Sequence, residues 1–90
     1  MDEYETYLMD YLQRFPGQRV KMWEVLNTLG KILITDPEKV ASGSTLREEK
    51  RRLSTAIAKL IKEGKVRRYQ MVNRKRVNLI RLNEAYIVND

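Results

Sequence analysis

The sequence predicts an α+β fold, mainly helical, in which helices come first and a β-hairpin follows. Three observations carry that expectation. Apolar residues recur at helical spacing through the first two thirds of the 90 residues. After Gly64 the spacing shortens to about two, the period of a half-buried strand. Gly64 itself stands where a glycine ends a helix, because glycine takes the left-handed conformation without a Cβ penalty.

The first helix is expected within residues 1–17. Asp2 begins it as N-cap, with Glu5 three residues on as capping-box partner. Tyr4, Tyr7, Leu8, Tyr11, Leu12 and Phe15 follow the i, i+3, i+4, i+7 pattern of an amphipathic helix, and Pro16-Gly17 stops it. The three tyrosines invite a base-stacking reading. Their place on one stripe with Leu8 and Phe15 favours packing in the core or at a dimer interface.

Residues 18–44 hold a short extended link, a second helix and a loop. Val20 suits a strand of a single bridge. Met22, Val25, Leu26 and Leu29 set the second helix, with Trp23 beside their stripe and partly buried. Two ends are open to this helix. Gly30 caps it, or the helix continues through Ile32 and Leu33 to about Ile34 and carries the glycine at a cost of about 1 kcal/mol relative to Ala. In the loop of residues 35–44, Pro37 suits the first position of one helical turn.

The long helix is expected over residues 45–64. Thr45 with Glu48 forms its capping box, and Leu46, Leu53, Ala56, Ile57, Leu60 and Ile61 share one face. Residues 65–82 form the hairpin. Pairing Val72 with Val77 leaves Asn73 to Arg76 as a four-residue loop. That register puts Ile80 and Leu82 on one face with Tyr69 and Met71, and it needs a bulge near Arg67-Arg68 to bring Val66 to the same face. In the tail, 83–90, Asn83 either caps a short segment or leaves it extended. All of this belongs to one domain, residues 1–90.

Composition narrows the chemistry. There is no Cys and no His, which removes disulfides, zinc-finger ligands, thiol nucleophiles and the usual general base. No P-loop, GxGxxG or nucleophile-elbow pattern occurs. The adjacent pair Glu48-Glu49 would point apart on a helix. A non-enzymatic protein without cofactor, metal or small-molecule ligand is expected. No apolar run approaches the ~18 residues of a membrane span, and the acidic, amphipathic start is unlike a targeting signal. A cytoplasmic protein is therefore expected, in the host cytoplasm or nucleoid if viral or plasmid-encoded. So short a chain buries only about 60–65% of its unfolded surface, which argues for a homodimer.

Charge is segregated. Residues 1–46 carry a net −2, residues 47–81 a net +10, and the whole chain +6. A segregated basic segment points to a polyanionic partner.

The run LSTAIAKLIKEGKV, then a basic hairpin, then IRLNE resembles the second half of a winged helix-turn-helix domain. Leu60, Gly64 and Val66 match the family's apolar-x-x-x-Gly-x-Val ending of the third helix. Leu82-Asn83-Glu84 matches its closing Leu-Thr-Glu, with Asn as the capping residue. The resemblance covers about residues 4–85; the connection before the long helix is longer than in the simplest members. It implies three helices plus a C-terminal wing, with the long helix in the major groove of DNA and the wing over backbone or minor groove.

The residues suit those tasks. Arg47, Arg51, Arg52, Thr55 and Lys59 lie on or beside the helix face opposite the apolar stripe, where Arg forks onto guanine and Lys suits phosphate. Asn73, Arg74, Lys75 and Arg76 put donors at the hairpin tip with no local acid. Arg67, Arg68 and Arg81 are open to a plainer reading, as charges that keep sheet edges from pairing. The expectation is sequence-specific binding of double-stranded DNA by a homodimeric transcriptional regulator. The alternatives are a winged-helix protein-interaction module, or a non-specific binder of RNA, single strands, nucleoid or replicating DNA.

Overall fold

The computed structural model describes residues 1–72 and 76–88. Its described elements run α1 (Glu3–Leu12), β1 (Val20–Lys21), α2 (Met22–Leu33), α3 (Pro37–Ala41), α4 (Leu46–Lys62), β2 (Val66–Val72) and β3 (Arg76–Leu82), followed by a 3-10 turn at Glu84–Tyr86. The fold is α+β and mainly helical; among the described residues there are four helices, the three expected long ones and α3, the turn that Pro37 was expected to open.

Helices α1, α3 and α4 start where a side chain satisfies one of the first backbone donors, whereas α2 follows directly on β1 with no side-chain cap. The Asp2 carboxylate accepts the Glu5 N–H at 2.9 Å to open α1, Asp36 accepts the Glu38 N–H at 2.9 Å to open α3, and the Thr45 hydroxyl accepts the Glu48 N–H at 3.2 Å to open α4. Pro37 takes a first-turn position of α3, where its missing N–H costs nothing. Glu5 does not close a capping box. Its side chain is turned inward and 1% exposed.

Gly30 lies inside α2 rather than capping it. A Cβ there would sit 2.9 Å from Leu46 Cδ1 and 3.1 Å from Lys50 Cγ, so the glycine lets α2 approach the start of α4. At the other end of α4, Gly64 has φ +77°. Its N–H donates to the Ile61 carbonyl at 3.0 Å, and the Lys65 N–H donates to the Leu60 carbonyl at 2.9 Å. This paired closure is a Schellman motif, and it turns the chain directly into β2.

The sheet is antiparallel in the order β1-β3-β2. Its register differs from the expected one by a residue: Val72 faces Arg76 and Val66 faces Leu82. Asn73, Arg74 and Lys75 alone join the strands and lie outside the described residues; Arg76 begins β3. The physical reason is burial. A one-residue slip exchanges the faces of a strand, and this register gathers Val66, Ile80 and Leu82 on the core side without a bulge. Tyr69 and Met71 consequently belong to the outer face.

The core joins Leu8 and Leu12 of α1, Val25, Leu29 and Leu33 of α2, Leu53, Ala56, Ile57 and Leu60 of α4, and the three strand residues. Leu8 and Leu12 are almost fully buried within one chain, so the N-terminal stripe is spent on the core. Tyr4, Tyr7 and Tyr11 are half-buried against it. Asn83 fixes the end of the hairpin: its amide donates to the Gly64 carbonyl at 2.8 Å, and its side-chain oxygen caps the 3-10 turn by accepting the Ala85 N–H.

Candidate nucleic-acid interface

Helix α4 has three sides. The first faces the core. The second faces α1, and two acids whose burial the sequence reading missed lie at that junction, Glu49 of α4 and Glu5 of α1. Glu49, fully buried, accepts from the Tyr4 hydroxyl at 2.7 Å and from Arg52 Nη1 at 3.0 Å. Lys39 of α3 donates to the same Tyr4 hydroxyl at 2.8 Å. Burial pushes the Glu49 carboxyl up, but the bonds from Tyr4 and Ser44 and the charges of Lys39 and Arg52 hold it below its ordinary value. Tyr4 in turn raises the pKa of both Lys39 and Arg52. Two turns beyond Arg52, Lys59 Nζ lies 3.1 Å from the buried Glu5 carboxylate, an ion pair without the alignment of a hydrogen bond. That carboxylate raises the Lys59 pKa.

Of the expected recognition residues, Arg52 and Lys59 are therefore engaged with α1-side acids. Arg47, Arg51 and Thr55 lie exposed on the third side, together with Glu48, Ala58 and Lys62. Among the described residues, Arg47, Arg51 and Lys62 have no carboxylate within ion-pair distance. The Thr55 hydroxyl donates to the Arg51 carbonyl at 3.1 Å, which leaves its oxygen free to accept.

A cleft runs beside this free side. Ser54, Ala58 and Ile61 of α4 form one wall, Arg68 of β2 the other, and Met22 and Ile57 its floor. The inner face of the hairpin continues from Arg68 outward as a polar strip: the Asn78 side-chain oxygen accepts from Arg68 Nη2 at 3.1 Å and from Gln70 Nε2 at 3.3 Å. With that oxygen occupied, the uncommitted polar groups of this pair are donors, on the exposed Arg68 guanidinium and the Asn78 amide.

Trp23 is 59% exposed rather than partly buried. Helix α2 turns Met22, Val25 and Leu29 inward, which leaves Trp23 across from the hairpin in a notch with Leu26, Arg76, Val77 and Asn78. Of the tip residues, Arg76 is exposed, and Asn73, Arg74 and Lys75 are outside the described residues. The signal for Arg68, Gln70 and Asn78 was the register, because only the correct pairing puts them on the α4 side. For the buried acids it was helical spacing: Glu5 stands three and seven residues before Leu8 and Leu12, and Glu49 four before Leu53.

Among the described residues, no group of His, Cys, Asp and Glu is placed to hold a metal ion, and no helix is long and apolar enough to cross a membrane. In comparison with known proteins, no family model, no curated protein and no solved structure matches this chain.

Proposed function

We propose that this chain is a winged helix-turn-helix protein that binds double-stranded DNA sequence-specifically and regulates transcription. In this reading α4 enters the major groove, and the β2–β3 hairpin is the wing, lying on the adjacent backbone or minor groove. The order of helix, strand, helix, helix and hairpin, with α3 as an insertion before the recognition helix, supports the family assignment. A helix 10–12 Å across fits a groove about 12 Å wide. One observation carries the function. The cations on the α1 side of α4 are matched to acids, whereas Arg47, Arg51 and Lys62 on its free side are not.

Fluorescence anisotropy with competing random duplex, single strand and RNA at 50 and 200 mM salt tests the reading. Duplex is expected to win, and affinity to fall by roughly 10³-fold between the two salts if six to eight phosphates are contacted. Arg51→Ala should relax sequence preference, whereas the triple change Arg74→Ala, Lys75→Ala and Arg76→Ala should weaken all duplexes and flatten the salt slope. Equal loss on specific and random duplexes for Arg51→Ala would sink its base-reading role. A protein-interaction module is the rival, favoured by the exposed Trp23 notch; it predicts no duplex binding at moderate salt.

A further inference from the structure

The outer face of the sheet, turned away from the helices, carries charge that edge protection does not explain. Arg81 lies on β3, the central strand, so it guards no edge. The register sets it directly opposite Arg67 of β2, and like charges so paired destabilise a sheet. The β1–β3 register, carried one residue back, brings Arg19 alongside as well. Both neighbours share one aromatic ring: the Arg19 guanidinium lies 4.0 Å from the Tyr69 centroid and that of Arg81 5.7 Å. Arg19, Arg81 and Arg67 thus form a row across three strands, spanning about 10 Å.

Among the described residues, one acid touches this row. Glu84, itself mostly exposed, accepts from Arg81 Nη2 at 3.3 Å. Among the described residues, the Arg81 Nε is buried without a hydrogen-bond partner, and Arg67 and Arg19 have no carboxylate within ion-pair distance.

We propose that this row is a second phosphate-binding surface, which takes a second segment of duplex while α4 holds the first. The inference rests on the duplex-binding reading above. Two features choose the ligand. Arg19 and Arg67, both exposed, stand either side of the mostly buried Arg81, and two fork-shaped donors on one line match the phosphates of a polyanionic strand. The Tyr69 ring is already covered by guanidinium groups, so the face offers charge rather than an open platform for stacking an unpaired base. Because the sheet's two faces point apart, one chain bridges two duplexes.

The test immobilises one duplex on beads and measures retention of a second, labelled duplex, with anisotropy on a single duplex run in parallel. Wild-type protein should retain the second duplex. Arg19→Ala with Arg67→Ala should lower retention by roughly tenfold and change single-duplex affinity by less than about threefold. Arg67→Glu keeps the result readable if the alanine pair folds poorly. It sets opposite charges across the strands, so its melting temperature should not fall, yet bridging should be lost. The proposal is overturned if wild type binds one duplex and retains no second, or if Arg67→Glu bridges as wild type does. Absence of any duplex binding overturns both readings.

Discussion

On the flank of α4 that meets α1, Arg52 and Lys59 end on the buried carboxylates of Glu49 and Glu5 at 3.0 and 3.1 Å. On the free flank, Arg47, Arg51 and Lys62 end in solvent. The residue types are the same, and composition alone assigns them one purpose. Their neighbours divide them. A cation opposite a buried acid offsets the cost of desolvating that acid, so its loss is felt in folding. A cation with no such partner contributes little to folding, so its loss is felt only when an anion arrives.

Replacing Arg47, Arg51 and Lys62 together by Ala carries the largest expected effect. Duplex affinity should drop on the order of 10²-fold or more near 100 mM salt, while the urea midpoint stays close to wild type. Replacing Arg52 and Lys59 instead should lower the urea midpoint, with a smaller loss of duplex binding. If the two pairs of results came out alike, the division between the flanks would fail.

Tyr4→Phe sharpens the same division from the acid's side. It removes the donor 2.7 Å from Glu49, and leaving a buried carboxylate short of a hydrogen bond costs roughly 2 kcal/mol. Equilibrium unfolding in urea should show that loss, with duplex affinity unchanged within about twofold.

The pH dependence follows from Glu49. Its native pKa is lowered from the ordinary 4.5, so its contribution to stability is complete above that value and drains away as pH falls through the native one. Melting temperatures taken from about pH 6 to pH 3 should decline, and Glu49→Gln should decline less steeply over the acid part of that range. A parallel decline would remove Glu49 from the explanation.

Gly30→Ala carries the smallest expected effect. Helix propensity favours Ala by about 1 kcal/mol, but the new methyl would meet Leu46 Cδ1 at 2.9 Å. The expected net change is within about 1 kcal/mol, read by thermal melting. A gain of the full propensity difference would show that α2 and α4 have room to part.

Much of the helical architecture was legible because helix ends are written in local chemistry. Asp2, Pro37, Thr45 and Gly64 each act within a few residues of themselves, and each does what its type predicts. The hairpin register was not legible in this way. With a period of two, Val66, Tyr69, Met71, Ile80 and Leu82 permit two pairings one residue apart, and only burial of Val66, Ile80 and Leu82 in the core shared with the helices prefers one. The interior of α2 shows the same limit, since Gly30 inside a helix makes sense only once Leu46 and Lys50 press against it. Of the candidate site, the exposed face of α4 was legible from angular position. The split between Arg51 and Arg52 was not, because it depends on Glu49, which helical spacing places on the apolar stripe but only the packing of Tyr4 and Lys39 around it makes a buried carboxylate.

Strand β1 meets β3 only at Leu79 and Ile80, and this brevity divides the hairpin into a root and a blade. At the root, residues 66–69 and 79–82 have a third strand beside them or helix α4 beneath, and Asn83 pins the end. In the blade, residues 70–72 and 76–78 pair only with each other. Two-stranded pairing by itself is marginal in water, so the blade should exchange its amide hydrogens well before the root does. Such a finger keeps a fixed angle to α4 through its root and adjusts its outer half to whatever surface it meets.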